Sequence, residues 1–463
     1  MMSFGYILNG FFVGWSSKFF SFDDELSDPS YLHRSQISWI ISGFPLGVVI
    51  ISLLLYKFYY RIGTKSSLLA ASLLIILSWT VTMPFDNKFE VLFFSRIVGG
   101  FGSGIIFILV PIYMKELYIG ENYDGNIVDL LITQFGLGIF TQYFIDLITP
   151  MQLSAIAITL SVSFSIICCL IPESPRYQAF CDMKYKHTYE FEKAVKLHNL
   201  WSEEDLHRKS IVDLFNELKK LNLLSLIGLI LVEQFIGGIS ILFYMKHFAQ
   251  LSGGQLSPEL IATIVGLTLI LSIPASRIIK FSRISSTKTQ LIFSTVAILF
   301  CMLVLAIFCV TEGALGYKLD FYGLDFVPLV AFITMAFFYV AGISRNILLI
   351  MQQILTSYSL QLHLRTLSIA VTWFFIFAMT KLLPQLLYLV GVGYFYCYMV
   401  ILTLLALIFL MKIIPTSLNL EVDRATPNLM ESSMVASSTS SGIASNEPQS
   451  WSSENEIQVV EEA

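Results

Sequence analysis

Three ionisable side chains stand inside long apolar runs of this 463-residue chain. They are Glu233 in "LIGLILVEQFIGG", Arg345 in "YVAGISRNILLIM" and Lys381 in "IFAMTKLLPQ". Charge in hydrocarbon costs about 2.5–3.5 kcal/mol on insertion scales, so by default such a residue marks a solute path, a proton relay or an internal pair. Glu233 lies about 11 residues into its run, roughly 17 Å deep at the helical rise. There it can carry a proton or accept hydrogen bonds from a polar solute. It can equally be a structural acid, protonated within a packed bundle or paired with Lys381 or Arg345. Arg345, nearer the end of its run, is expected to snorkel to the interface; Lys381 fits either reading.

A second group is "IPESPRY", Ile171–Tyr177, which ends another apolar run. Pro172 and Pro175 stop a helix, because proline lacks the donor and clashes with the preceding turn. Glu173, Arg176 and Glu116 then share one level at a membrane face. They can form ion pairs in one conformation and lose them in another, or stand solvated among headgroups, where a pair is worth about 0–1 kcal/mol. No nucleophile–base pair stands out, and the six cysteines show no metal-type spacing. Neither an enzyme, a metal site nor a cofactor is expected, and no basic tract suits nucleic acid.

The elements that must hold these groups follow from composition. The chain is 56% hydrophobic and 13% charged, with mean hydropathy +0.73. Soluble domains carry about 25% charge, so the lipid bilayer is the expected solvent. Runs long enough to cross it fall near 4–20, 37–57, 67–84, 91–114, 126–148 and 152–171. A second set falls near 222–245, 259–281, 290–311, 327–352, 366–391 and 394–414. The reading is an all-α membrane protein of about twelve spans. It comprises an N-terminal six-helix bundle (1–171), a central loop with short amphipathic helices (172–221), a C-terminal bundle (222–414) and a Ser-rich acidic tail (415–463). The tail has too few large aliphatics to offset its ordering entropy. Lys and Arg concentrate in the loops after the second, sixth and eighth runs, which places both termini in the cytoplasm. The first run has no basic leader or small-residue cleavage site, so it is read as a retained helix. "YYRIGTKSSLL" and "FSRISSTKTQLI" occupy the same loop of each half, a weak parallel repeat.

On these residues the chain resembles the sugar porter family of the major facilitator superfamily. Pro172-Glu-Ser-Pro-Arg176 resembles that family's signature after the sixth helix. "SRIVGGFGSGIIFILVPIYMKEL" resembles its fourth-helix pattern, with Arg96, Gly99, Gly102, Gly104, Pro111, Tyr113 and Glu116 in register. "EQFIGGISILFY" is a weaker match on the seventh. The resemblance implies the twelve-helix major facilitator fold in two bundles. It also implies alternating access with a gate of Glu116, Glu173 and Arg176, Arg96 supporting the fourth helix. The family's first-helix acid, which faces the fourth-helix Arg in proton-coupled members, matches Ile7 after Phe4-Gly5-Tyr6. Glu233 stands at the first Gln of the seventh-helix pair, Gln234 at the second, and Ser240 beside the Asn position at Ile239. Gln134 lies near the fifth-helix Gln position, which is Ile132, and Thr372-Trp373 stands for the Asn-Trp pair. Asp124 replaces an Arg of the family, and with Asp129 it opens the fifth helix for no reason visible in the sequence.

The expected function is transport of a small polar solute, a sugar or polyol, as a facilitator or proton-coupled symporter in the plasma membrane. Glu233, Gln234, Ser240, Gln134 and Trp373 are its expected contacts, Trp373 as a stacking face and Glu233 also as the coupling acid. The alternative is a transporter-like nutrient receptor that moves nothing.

Overall fold

A computed structural model describes residues 1–17, 33–84, 88–117, 123–145, 150–174, 177–178, 223–252, 256–279, 287–315, 326–356 and 361–413. The compact unit is Met1–Ile414. The expected tail and nearly all of the expected central loop, Arg176 included, lie outside the described residues.

The first half consists of α1 (Gly5–Ser16), α2 (Arg34–Ile62), α3 (Thr64–Thr82), α4 (Phe89–Leu117), α5 (Tyr123–Phe144) and α6 (Pro150–Leu170). In the second half the seventh run is broken into α7 (Leu223–Phe235), α8 (Gly238–Phe243) and α9 (Met245–Leu251). Then come α10 (Pro258–Ile278), α11 (Thr287–Leu315), α12 (Val327–Phe338), α13 (Arg345–Thr356), α14 (Gln361–Val390) and α15 (Val392–Ile413). Among the described residues ten helical stretches are long and apolar enough to span a bilayer, or eleven with the bent seventh run. In the expected first span the α-helix covers 12 residues, Gly5–Ser16, and residues 18–20 of that span lie outside the described residues. Successive spans alternate in direction, so one face, called here the terminal face, carries the start of α1 and the end of α15.

The apolar runs form helices because lipid offers backbone amides no partner, and a helix satisfies them internally. Their packing is decided by small residues. A Cβ on Gly100 would stand 2.3 Å from the carbonyl of Phe44, and one on Gly47 2.3 Å from that of Ile97. The same reciprocal approach joins Gly10 to Phe135 and Gly138 to Ile7, each 2.1 Å from the carbonyl. Backbone therefore touches backbone where α2 crosses α4 and α1 crosses α5, as small-residue crossings allow in membranes.

Two runs read as continuous are interrupted. After Phe235 the chain turns at Gly237, whose φ of +74° is a left-handed conformation that suits glycine. A second bend, 89° at Tyr244, ends the broken span. Between α12 and α13, Tyr339–Ser344 widens into a π-helical turn, a local bulge that re-aims side chains.

The segment Pro172-Glu173-Ser174 is a joint of the first half. Glu173 Oε1 accepts the backbone N–H groups of Thr64 (3.0 Å), Lys65 (2.9 Å) and Ser174 (3.0 Å). These include orphan donors at the start of α3, where the helix dipole favours an anion. In return Lys65 Nζ donates to the carbonyls of Cys169 (2.8 Å) and Ile171 (2.9 Å) at the end of α6. Tyr113 OH donates to the Pro172 carbonyl at 2.9 Å, and Ser174 Oγ donates to Glu116.

Candidate functional site

The two halves meet around an internal cavity of about 160 Å³. One wall comes from Tyr6, Phe107 and the α5 residues Val128, Ile132, Phe135 and Gly136. The facing wall holds Glu233, Leu269, Tyr339 and Ser344, with Arg365, Ser368, Thr372 and Trp373 of α14. The interruptions place the polar groups. Glu233, buried one turn before the break, accepts a hydrogen bond from Tyr339 OH at 3.1 Å, and Tyr339 is the first residue of the π turn. The two irregular segments touch, because a Cβ on Gly238 would lie 2.0 Å from the Tyr339 ring. Trp373 is held edge-on to Phe44 (5.6 Å between centroids) and tilted against Phe107 (5.0 Å). Trp373 and the Glu233 carboxylate thus line one cavity between the halves.

The sequence profile described as "Sugar (and other) transporter" matches residues 1–427. The chain belongs to that family. As a sugar porter it shares the major facilitator fold with the xylose transporter of E. coli solved in a partially occluded inward-open conformation. That match has a TM-score of 0.67 at 17% identity, over 89% of this chain and 96% of the other. The arabinose-proton symporter of Escherichia coli (strain K12) is 26% identical over 258 residues, 50% of this chain and 52% of the symporter. The facilitated trehalose transporter of Culex quinquefasciatus is 24% identical over 372 residues, 76% and 70% of the two chains. The chain spans about half the length of the first curated relatives it matches.

Of the residues expected to bind solute in this porter, Glu233 and Trp373 line the cavity. Gln234 and Ser240 are buried beside it, and among the described residues Gln234 Nε2 and Ser240 Oγ have no hydrogen-bond partner. Gln134 is half-buried and off the wall, while Ile132 and Gly136 hold the α5 positions on it. Arg365 was missed from the sequence: it precedes the apolar stretch of its run and reads there as a loop charge. On α14 it falls one turn before Ser368 and two before Thr372, completing a polar stripe along the cavity.

The expected gate residues Glu116 and Glu173 join α3, α4 and α6 within the first half; their pairing with Arg176 lies outside the described residues. Arg96 is fully buried, its guanidinium carbon 3.3 Å from the centroid of Trp15 and 4.6 Å from that of Trp79. The α1 residues that face Arg96 are Phe12 and Trp15. Ile7 lies two turns away, its carbonyl against Gly138 of α5.

The other intramembrane charges also found unexpected partners. Lys381 Nζ donates to Ser38 Oγ at 2.7 Å and sits 3.9 Å over Trp39, tying α14 to α2 away from the terminal face. Arg345 does not snorkel. Its Nε donates to Asp129 Oδ1 at 2.6 Å, because a buried carboxylate one helix away offers more than a headgroup. Arg277 Nε donates to the other oxygen of Asp129 at 2.9 Å.

Proposed function

We propose that this sugar porter carries a small hydroxylated solute, a sugar or polyol, across a membrane by alternating access. The observation that carries the reading is the cavity where the halves meet, offering Trp373 as a stacking face and Glu233 as a hydrogen-bond acceptor. Aromatic faces with a few placed polar groups are what orients a small ligand. The relatives named above transport arabinose, trehalose and xylose, which agrees in solute class. Ser240 joins the contacts when α8 turns about Gly237, and Gln234 when α7 rotates, bringing their unpaired polar atoms onto the wall. Gln134 contributes once α5 rotates, and Glu116, Glu173 and Arg176 brace the terminal end of the first half. The terminal face is cytoplasmic, following the Lys/Arg bias of its loops, and the plasma membrane is the site of action. Glu233 also stands as the coupling acid in place of one on the first helix.

The test is uptake of labelled sugars, polyols and organic acids into proteoliposomes, with and without an inward proton gradient, for wild type and Glu233→Gln. Accumulation driven by the gradient and abolished in the mutant identifies a symporter coupled through Glu233. Equilibration without accumulation identifies a facilitator and leaves Glu233 as ligand. Absence of flux for every solute, from protein shown to be folded, refutes transport and favours the nutrient receptor.

A further inference from the structure

We propose that the solute of this cavity carries a protonated amine, as an amino sugar or an amino polyol does, and that its ammonium group sits on Oε2 of Glu233. This rests on the transport reading above and narrows its solute class. Glu233 lines the cavity and is 7% exposed. Its Oε1 accepts from Tyr339 OH at 3.1 Å, and among the described residues Oε2 has no hydrogen-bond partner. The cations expected to pair with it inside the bundle are committed elsewhere. Arg345 Nε donates to Asp129 Oδ1 at 2.6 Å, and Lys381 Nζ to Ser38 Oγ at 2.7 Å. Asp129 shows how this protein treats a structural acid. It is 3% exposed, and each of its oxygens is met by an arginine, at 2.6 and 2.9 Å. Glu233 is nearly as buried, yet among the described residues no cation meets it.

The rest of the wall favours a donor-rich cation over a neutral sugar. An ionised carboxylate so buried needs a counter-charge, and an ammonium group brings that charge together with its N–H donors. Paired, the two cancel, so the loaded carrier holds no isolated charge within the bilayer. Tyr6, Phe107, Phe135, Tyr339 and Trp373 line the same space, and aromatic rings attract cations through their quadrupoles. The hydroxyls of α14 present acceptors. Ser368 Oγ donates to the Arg365 carbonyl at 3.0 Å and Thr372 Oγ1 to the Ser368 carbonyl at 2.9 Å, so their lone pairs are what remain for a solute. Among the described residues no Asn or Gln lines the cavity in this conformation; amides, which both donate and accept, are what would sort neutral hydroxyls. The stripe of Arg365, Ser368 and Thr372 suits the hydroxylated end of the solute, which a simple alkylamine lacks.

The measurement is binding of labelled solutes to the full chain in lipid nanodiscs by equilibrium dialysis, with monodispersity and thermal unfolding confirming the fold. Glucamine is compared with sorbitol, and glucosamine with glucose, N-acetylglucosamine and glucuronate. Each amine should bind about tenfold or more tighter than its neutral counterpart, the worth of a charge-assisted bond. N-acetylation, which removes the charge and keeps the ring, should erase the gain. Glu233→Gln should bring amine and neutral affinities together, and Glu233→Asp should keep part of the difference. If Glu233→Gln fails to fold, the solute pairs on wild type and Glu233→Asp decide. Equal binding of amine and neutral solutes, or a preference that survives in Glu233→Gln, overturns the inference. Tightest binding of glucuronate also overturns it and moves the solute's charge to Arg365. The same solutes are then followed into proteoliposomes. Flux of neutral sugars without an amine preference upholds transport and overturns the inference. Amine binding that depends on Glu233, with no flux of any solute, upholds the site and refutes transport.

Discussion

Removing Glu173 separates two roles that a carboxylate at a membrane face can have. As a helix cap, its worth lies in one oxygen, which accepts three backbone N–H bonds at 2.9–3.0 Å. A bond to a charged acceptor is worth about 1.5–3 kcal/mol net, and the charge at the start of α3 adds about 0.3–1 kcal/mol. Glu173 is half-buried, so water recovers part of this, and Glu173→Ala should cost about 2 kcal/mol. Glu173→Gln keeps a carbonyl acceptor in place and gives up only the charge, about 0.5–1 kcal/mol. Lys65→Met, losing two carbonyl contacts at the other end of the clamp, should fall between them. The assay is thermal unfolding of purified protein in nanodiscs, where these costs read as a shift of a few °C at most. The expected order of stability is wild type, Gln, Lys65→Met, Ala. If Gln and Ala were equally destabilising, the charge and not the acceptor would matter, and the cap argument would fail in favour of an ion pair.

Two further outcomes test the packing. Gly100→Val places a side chain 2.3 Å from the Phe44 carbonyl, so it should abolish a monodisperse elution peak, while Gly125→Ala, whose Cβ meets nothing nearer than 4.0 Å, should leave it intact. Trp15→Leu removes the face stacked at 3.3 Å on the buried Arg96 and should cost about 2 kcal/mol, read as lowered thermal stability; an unchanged unfolding midpoint would show that the stacking contributes nothing.

Composition alone made the bundle legible, because a chain with so few charges has to solve its backbone hydrogen bonding inside lipid. The fourth-helix glycines and the Pro-Glu-Ser-Pro stop were equally visible. Partnership across the chain was hidden. Glu173 was read as a charge at a membrane face, but the helix end it caps begins 109 residues earlier, and no spacing rule reaches that far. Arg345 was assigned to headgroups while its acid, Asp129, stood unexplained 216 residues away. The stacking of Trp15 on Arg96 was hidden in the same way, because only the fold brings α1 and α4 together there. Within the site, Glu233 and Trp373 were found by the cost of burying their polar atoms and by motif position. Arg365 was missed because its run starts in polar sequence, and the cavity it lines forms only between halves.

The clamp between α3 and α6 also bears on biogenesis. The start of α3 is translated long before residue 173 leaves the ribosome, so its first amides wait uncapped through the insertion of three more spans. The first half is therefore expected to stay loosely associated, and accessible to membrane chaperones, until the sixth span has been released. A nascent chain arrested before Glu173 should be cleaved at the α2–α3 junction far faster than one arrested well after it.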